Sequence, residues 1–337
     1  MDFEVPRMAF IVSAVKVFVT GGAGYIGSVC VEELLGAGHT VTVYDDLSEG
    51  HRSAVDPRAK FVLGQPEQRD HILHAVQEAQ PDALMHFAAN ALVGESMVNP
   101  GKYFRNNVAN GLKLLEAAVA AQVKKFVFSS TCAVYGHPDR VPIPEDLPPR
   151  PINPYGESKL MFEKMLSWYQ QIHGLEFVAL RYFNAAGASQ KRGEHHRIET
   201  HLIPRVLQVA LGQAPQCEIF GTDYPTPDGT CIRDYIHIVD LAQAHMLALI
   251  PGKKGVYNLG NGDGYSVRQV IQTCEKVTGQ RIPAVEKPRR PGDPPRLVAS
   301  AERAARELGW KPKFPELEDI VATAWAWHKA HLHGYPD

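Results

Sequence analysis

The sequence predicts an α/β protein with a Rossmann-like, doubly wound parallel sheet and a smaller, mixed α/β lobe. The first observation is an apolar run at 15–19 that leads into a glycine-rich turn and then into a helix-like segment. The second is the alternation of strand-like and helix-like segments up to residue 183, which is typical of parallel βαβ units. The third is a change, after residue 184, to loops rich in proline, histidine and glycine. In such a sheet we expect ligands to bind at the carboxyl ends of the strands.

This change in character divides the chain into two predicted domains. We assign 15–183 to an NAD-binding Rossmann domain and 184–337 mainly to a substrate lobe, with some later segments returning to the first domain. Residues 1–14 hold only a short apolar run that leads directly into the first strand, so we interpret them as an N-terminal extension and not as a signal peptide. The predicted strands are 15–19, 41–45, 60–64, 83–89, 125–130 and 178–183, and the predicted helices are 28–37, 70–80, 107–121, a long one from Tyr155, 240–250, 266–278 and 317–331.

Composition limits the classes of partner. The chain has 337 residues, of which 45% are hydrophobic, and this is enough for a sizeable core. A net charge of −2 gives no reason to expect nucleic acid or an anionic membrane as partner, and we find no apolar stretch of bilayer-spanning length. The five cysteines are odd in number, scattered and without a C-x-x-C pair, which favours a reducing cytoplasm over disulfides or structural zinc.

The glycine-rich turn at 20–27 predicts a dinucleotide site. Its spacing is G-x-x-G-x-x-G, and each glycine has a physical role. Gly21 allows a tight turn, Gly24 lets backbone N–H groups approach a pyrophosphate, and Gly27 lets helix and strand pack closely. The helix that follows offers free N–H groups and a positive dipole end to phosphate. The next strand ends at Asp45, where an acid suits ribose hydroxyls and repels a 2′-phosphate, so we expect NAD and not NADP.

Tyr155 and Lys159 begin a predicted helix, one turn apart on the same face. An ammonium held beside a phenol lowers the pKa of the tyrosine, which makes it a usable general base near neutral pH. A Y-x-x-x-K pair is also common as a solvated helical pair, so its context matters. Thr131 lies just past the fifth predicted strand, where the ligand crevice is expected, and is placed to orient a substrate hydroxyl towards Tyr155.

Several motifs resemble the extended short-chain dehydrogenase/reductase superfamily. Those that carry the resemblance are Thr-Gly-Gly-Ala-Gly-Tyr-Ile-Gly at 20–27, Ser-Ser-Thr-Cys-Ala-Val-Tyr-Gly at 129–136 and Tyr-Gly-Glu-Ser-Lys at 155–159. Further stretches are similar to the UDP-glucose 4-epimerase family within that superfamily. They are 86–89 with 93–96, 181–184, 220–224 with 228–230, 233–237, 289–293 and 334–337.

The resemblance implies an enzyme that interconverts UDP-glucose and UDP-galactose by reversible hydride transfer at C4, with NAD bound throughout. Tyr155 would take the proton of the 4-hydroxyl while C4 gives a hydride to the nicotinamide. Lys159 would hold the tyrosine and the nicotinamide ribose, and Thr131 would steady the reacting oxygen. The 4-keto sugar then turns over in the pocket and accepts the hydride on its other face. A homodimer through the helices near 107–121 and 156–172 is also implied, although their apolar faces fit an ordinary core equally well.

The resemblance also assigns binding residues to both ligands. Two of these residues, Arg233 and Arg290, are arginines, which suit bidentate contacts to phosphate. Without the resemblance they would indicate only surface charge. For the cofactor it implies Tyr25, Ile26, Asp45, Asp46, Leu47, Ser48, Glu49, Gly50, Gln65, Phe87, Ala88, Ala89, Asn106, Ser129, Tyr155, Lys159 and Phe183 in addition to the three glycines, and for the substrate Thr131, Tyr155, Asn184, His201, Leu202, Phe220, Arg233, Arg290, Asp293 and Leu297.

Four positions depart from the family pattern. Gln65 replaces an aspartate near the adenine, and we expect an altered contact there; Ala91 replaces the lysine of some members. His201 replaces a substrate-side asparagine, which leaves its role open. Leu297 stands where some members carry tyrosine, and a smaller residue predicts some activity on UDP-N-acetylhexosamines.

Other readings of the same residues remain. A nucleotide-sugar 4,6-dehydratase typically has an Asp-Glu pair after the threonine, and here Cys132 and Ala133 follow, which disfavours it. Epimerases of UDP-pentoses or UDP-uronic acids are separated poorly by the sequence. A non-catalytic NAD-binding protein has no need of the tyrosine and lysine.

A histidine- and glutamate-rich stretch at 194–201 raises the question of a metal. It contains Glu194, His195, His196, Glu199 and His201. Their spacing matches no helical or zinc pattern, so we expect a solvated loop and no metal.

Overall fold

The structure, a computed structural model, describes residues 14–290 and 293–337. The predicted N-terminal extension therefore lies, except for its last residue, outside the described residues.

The first part of the chain alternates strands with helices, as the spacing of its apolar residues predicts. The predicted strand 83–89 is shorter than expected, because the N–H groups of Phe87 and Ala88 both donate to the carbonyl of Thr20 and the chain leaves the ladder there. The predicted helix 107–121 begins only at Gly111, because 104–110 is wound as a π-helix. The elements are β1 (Lys16–Thr20), α1 (Tyr25–Gly36), β2 (Thr40–Asp45), β3 (Lys60–Leu63), α2 (Arg69–Ala79), β4 (Ala83–His86), α3 (Val93–Val98), α4 (Pro100–Tyr103), α5 (Gly111–Ala120), β5 (Lys125–Thr131), α6 (Pro154–His173) and β6 (Glu176–Tyr182).

The second part has short strands and four α-helices among its described residues. Its three predicted helices are confirmed with shifted ends, and one of them has a full capping box between Ser266 and Gln269. The strands and the helix after residue 201 carry no clear periodic signal in the sequence. The elements are β7 (Asn184–Ala186), α7 (Leu202–Ala210), β8 (Cys217–Phe220), β9 (Ile232–Arg233), β10 (Tyr235–His237), α8 (Ile238–Leu247), β11 (Gly255–Leu259), β12 (Tyr265–Ser266), α9 (Val267–Thr278), β13 (Ala284–Lys287), β14 (Arg296–Leu297) and α10 (Leu317–Ala330).

A seven-stranded parallel sheet forms the centre of the molecule, in the order β11-β6-β5-β4-β1-β2-β3. All six predicted strands belong to it, so the Rossmann-like fold class is confirmed. The seventh strand, β11, returns from the second part of the chain and pairs with β6. Helix α8 returns as well and packs on α1 across one face of the sheet, and α2, α5 and α6 cover the other.

A separate apolar core holds the second lobe together. It is formed by buried side chains of α7, α9 and α10 with those of β8 and β10. The short strand pairs β10-β7, β13-β8 and the three-stranded β12-β9-β14 lie in this part. Among the described residues, none of the helices has both the length and the apolar character that crossing a bilayer demands.

Candidate active site

The glycine-rich turn between β1 and α1 shows which glycines the fold itself requires. Gly21 has φ of +75°, and a Cβ there would lie 2.4 Å from the amide nitrogen of Ala88. A Cβ on Gly27 would lie 2.1 Å from the carbonyl oxygen of Gly21. Gly24 is different, because the nearest atom to its Cβ would be 3.5 Å away, which is ordinary contact distance. The tight turn and the close helix–strand packing therefore follow from Gly21 and Gly27, whereas the protein's own packing gives no reason for a glycine at position 24.

A cleft of about 660 Å³ opens at the carboxyl ends of β1, β2 and β4, on the side of the turn that Gly24 faces. This volume suits a bound small molecule. Most of the predicted cofactor residues share this cleft. Its lining includes Gly21, Gly24, Asp45, Asp46, Ser48, Glu49, Gly50, Phe87, Ala88, Ala89 and Asn106.

Asp45 organises the wall of this cleft. Its carboxylate accepts hydrogen bonds from the N–H groups of Ala23 and Leu47, at 2.9 Å each. Burial raises the pKa of this carboxyl, and these N–H donors oppose the rise. The carboxylate thereby joins the glycine-rich turn to the loop after β2, and it lies where the prediction places the ribose hydroxyls.

Some predicted cofactor residues do not line this cleft. Gln65 is exposed, and its backbone carbonyl accepts a hydrogen bond of 3.0 Å from the Tyr44 hydroxyl. The Tyr25 hydroxyl donates to the carbonyl of Gly187, at 2.7 Å. The others outside the lining are Ile26, Gly27, Leu47, Ser129, Tyr155, Lys159 and Phe183.

Three cations, Lys102, Arg105 and Lys113, line the same cleft and escaped the sequence analysis. Lys102 forms an ion pair with Glu95, at 2.7 Å. These residues belong to no recognisable motif, and only the fold brings α4 and the π-helical segment over the cleft.

Thr131, Tyr155 and Lys159 come together at the carboxyl end of β5. The start of α6 is fixed by Asn153, whose side-chain oxygen accepts from the Gly156 N–H at 2.8 Å. This cap sets Tyr155 and Lys159 one turn apart at the first turns of the helix. The Tyr155 hydroxyl forms a side-chain hydrogen bond with Thr131. The sequence analysis expected Thr131 to contact the substrate hydroxyl and did not foresee this direct contact.

The electrostatics of this group differ from the prediction. Burial lowers the pKa of Lys159 to about 7, and its Nζ donates to the carbonyl of Ser129 at 2.8 Å and lies over the ring of Phe128. Burial also raises the pKa of Tyr155 to about 12, and the Thr131 hydrogen bond opposes this rise. The expected lowering of the Tyr155 pKa by Lys159 is wrong, because the amine is directed at a carbonyl and loses its own charge readily.

Asn107 is a positioning residue that the sequence analysis missed. Its amide nitrogen donates to the Ser158 hydroxyl and to the Asn90 carbonyl, both at 3.0 Å, and its oxygen accepts from the Asn90 N–H at 2.9 Å. The loop after β4 is thereby joined to the first turn of α6. The sequence offers only a group of asparagines, Asn106, Asn107 and Asn110, ahead of the apolar part of the helix, and nothing in it singles out Asn107.

The predicted substrate residues converge from several short strands. Arg233 forms an ion pair with Asp293, and Leu297 is its register partner in the β14-β9 pairing. The N–H of Asn184 donates to the carbonyl of Asp234, next to Arg233, at 2.9 Å. Arg233 also lies near the thiol of Cys132. Burial raises the pKa of this thiol to about 12, and the positive charge of Arg233 opposes the rise. The chain therefore brings these residues towards the Thr131 end of β5.

Arg290 and Phe220 form a second part of this surface. The Arg290 guanidinium lies 4.0 Å from the centroid of the Phe220 ring, a cation–π contact. This pairing connects the end of β8 with the segment after β13.

The stretch 194–201 is largely an exposed loop, as its spacing predicts, but one of its side chains is buried. Glu194 is buried, and its carboxylate contacts the rings of His196 and His201. His201 therefore lies in a cluster with these residues, directly before Leu202, the first residue of α7. Spacing along the chain gave no sign of this, because the loop folds back on itself.

Comparison with known proteins agrees with this geometry. The model of the NAD dependent epimerase/dehydratase family matches residues 17–260. The chain is 52% identical to the UDP-glucose 4-epimerase of Halalkalibacterium halodurans over 326 residues, which cover 95% of this chain and 97% of the relative. The chain belongs to the UDP-glucose 4-epimerase family. A crystal structure of a UDP-glucose 4-epimerase, 47% identical, superposes with a TM-score of 0.93 over 96% of this chain and 100% of that one.

A further solved member of the UDP-glucose 4-epimerase family is that of Bifidobacterium longum in complex with NAD⁺ and UDP. It is 38% identical, with a TM-score of 0.90 over 95% of this chain and 100% of that one. The family model ends before Arg290, Asp293 and Leu297, but the full-length relatives extend over them.

Proposed function

We propose that this protein interconverts UDP-glucose and UDP-galactose by reversible hydride transfer at C4, with tightly bound NAD. The observation that carries the proposal is the Tyr155–Thr131 hydrogen bond beside the buried amine of Lys159, at the sheet edge where the cleft opens. The 52% sequence identity to a UDP-glucose 4-epimerase, over 95% of this chain and 97% of that one, supports the same activity.

The cleft fits NAD by its shape and its donors. Gly24 leaves room at the N-terminus of α1, and Asp45 stands at the end of β2. Phe87, Ala88 and Ala89 form the opposite wall. When bound, oxidised NAD supplies a hydride acceptor and a positive charge.

Tyr155 acts as the base that receives the proton of the 4-hydroxyl, and returns it in the second half of the reaction. Because burial raises its pKa to about 12, it holds its proton in the ligand-free site. A positive charge brought next to the phenol favours its ionised form, so the base is active only in the assembled complex. Thr131 orients the reacting oxygen, and Lys159 fixes the geometry through Ser129.

The second lobe holds the nucleotide, not the sugar. Arg233 and Arg290 suit the diphosphate, Asp293 holds Arg233, and Phe220 supplies an aromatic face for the uridine side. Asn184, His201 and Leu202 complete this proposed set. A firmly held nucleotide leaves the sugar free to present either face of C4.

The residue at position 297 favours a second class of substrate, the N-acetylated UDP-sugars. Leu297 pairs with Arg233 in the sheet register and packs, partly buried, on the apolar cluster that contains Cys132 and Phe183. We propose that it leaves room for an acetamido group, so that UDP-GlcNAc and UDP-GalNAc are also interconverted.

A homodimer is supported by apolar side chains on the surface of the predicted interface helices. Met161, Trp168 and Ile172 lie along one stripe of α6, and Leu112 on α5 is also exposed. Trp168 has 61% of its surface exposed and Ile172 has 67%. Large apolar groups gathered on neighbouring helices favour association with a second copy.

We propose a cytoplasmic location. All five cysteines are buried and unpaired, as expected of a chain that folds under reducing conditions.

The substitution Tyr155→Phe tests the proposed function. It removes the hydroxyl that exchanges a proton with the sugar, so turnover of UDP-galactose is expected to fall by roughly 10²–10⁴-fold. NAD content and the unfolding midpoint are expected to stay near those of the unmodified protein. Tyr169→Phe, later on the same helix, is the matched control and retains full activity. Substantial epimerisation by the Tyr155 variant would refute the assigned role.

A further inference from the structure

A cluster of two histidines and two glutamates lies apart from Thr131, Tyr155 and Lys159, and it shares one residue, His201, with the proposed substrate-binding set. Glu194, His196, Glu199 and His201 each offer one ligating atom, and these four atoms lie within 4.8 Å of one another. Both rings approach the same carboxylate oxygen of Glu194, His196 at 3.1 Å and His201 more closely. The four side chains are therefore arranged around one point.

The surroundings of the cluster resemble a built site more than a chance surface grouping. The Glu194 side chain is only 4% exposed, whereas His196 and His201 are 32% and 54% exposed. The site thus has a buried floor and an open side through which an ion can enter. The Glu199 carboxylate accepts from the N–H of His201 at 2.7 Å, and the contact of the His201 ring with Glu194 joins the two ends of the loop.

The chemistry of the donors selects a class of ion. Once both imidazoles have given up their protons to a metal ion, the two carboxylates and two imidazoles carry a charge of −2, which a divalent cation neutralises. Mixed imidazole and carboxylate donors are typical of zinc and related transition metals, whereas magnesium and calcium prefer oxygen alone. Tetrahedral zinc with bonds of about 2.0–2.2 Å brings its ligand atoms to roughly 3.4 Å from one another. Small side-chain rotations in an exposed loop are enough to close the observed spread.

We infer that Glu194, His196, Glu199 and His201 form a binding site for one zinc-class divalent cation. The site lies beside Tyr25, the first residue of α1, whose ring meets that of His196 edge-on at 6.2 Å. The same loop carries Arg197, which donates to the carbonyls of Leu47, Ser48 and Gly50 in the loop after β2 that borders the cofactor cleft. A bound ion would therefore fix the loop that connects the cofactor cleft to the N-terminus of α7.

The test uses the full chain without an affinity tag, freed of metal with dipicolinate and titrated with Zn²⁺ and with Co²⁺. We expect one Zn²⁺ per chain, a rise of the unfolding midpoint with Zn²⁺ concentration, and the strong visible absorption of Co²⁺ in a tetrahedral or five-coordinate site. The absence of stoichiometric Zn²⁺ binding would overturn the inference, as would the weak Co²⁺ spectrum of six oxygen ligands.

Single variants locate the ion. His196→Gln and Glu199→Gln are each expected to weaken Zn²⁺ binding by about 100-fold or more, since each removes a ligand. His195→Gln is the matched control in the same loop, because its ring stacks on His51 and lies outside the cluster, and it should bind Zn²⁺ as the unmodified protein does. Unchanged binding by the His196 and Glu199 variants would assign the ion to other histidines and refute the site. If the His196 variant does not fold, the half-buried Glu199 variant decides the question alone.

Discussion

Substituting the middle glycine of the turn separates what the fold requires from what the cofactor requires. Gly24 has φ of −79° and ψ of 172°, an extended conformation that alanine adopts freely, and its Cβ would meet no atom closer than 3.5 Å. Alanine caps a helix less well than glycine, which lowers the free energy of unfolding. It also restricts the unfolded chain, and this raises the free energy of unfolding by about 0.4–1 kcal/mol. We therefore expect Gly24→Ala to change the free energy of unfolding of the NAD-free protein by less than about 0.5 kcal/mol.

The same methyl group is expected to weaken NAD binding. Gly24 lines the cleft at the N-terminus of α1, so its Cβ would occupy space that the pyrophosphate needs. Overpacking of this kind costs about 1–3 kcal/mol, which corresponds to a loss of affinity of roughly 5–150-fold. Isothermal titration with NAD and urea unfolding of the same preparation measure the two quantities.

Gly27→Ala provides the contrast. Its Cβ would lie 2.1 Å from the carbonyl oxygen of Gly21 and 2.9 Å from the Cα of Gly22, so the helix itself must move. We expect a loss of about 1–3 kcal/mol or more in the free energy of unfolding. The reasoning fails if Gly24→Ala binds NAD as tightly as the unmodified protein, or if it loses as much stability as Gly27→Ala.

Three further predictions address the reaction, the substrate and the assembly. Because burial lowers the pKa of Lys159 to about 7, the folded chain releases a proton that the unfolded chain keeps up to about pH 10. Between pH 7 and about 8.5, the unfolding free energy of the NAD-free protein should therefore rise relative to that of Lys159→Met, by up to about 1.4 kcal/mol per pH unit. Urea unfolding at several pH values measures both proteins, and a difference between them that does not change with pH would contradict this. Leu297→Tyr should reduce turnover of UDP-GlcNAc roughly 10–200-fold relative to UDP-glucose in a product assay, whereas parallel changes would exclude a role in selectivity. Trp168→Glu should convert the proposed dimer into a monomer in light scattering, and Ser167→Glu, exposed on another face of the same helix, should not.

Local features of the chain were readable from the sequence because their causes are local. The six strands follow from short apolar runs, and the turn at 20–27 follows from glycines whose spacing matches a strand, a turn and a helix. Tyr155 and Lys159 are one helical turn apart wherever the helix lies, so their proximity needed no knowledge of the fold. The family resemblance added residues that spacing could not give, such as Arg233 and Asp293, which the structure brings together.

Tertiary structure alone decided the properties that depend on burial and on distant segments. The return of β11 to the central sheet is a pairing over a long sequence separation, and Asn107 acquires its role only where two loops meet. The pKa of Tyr155 is raised, not lowered, because desolvation outweighs the hydrogen bond with Thr131 and the Lys159 amine points to the Ser129 carbonyl instead. The cluster around Glu194 exists because a loop without periodic spacing folds back on itself. Sequence patterns indicate helices and strands through the periodic spacing of apolar residues. The pKa of an ionisable group depends instead on the atoms that surround it in the folded protein.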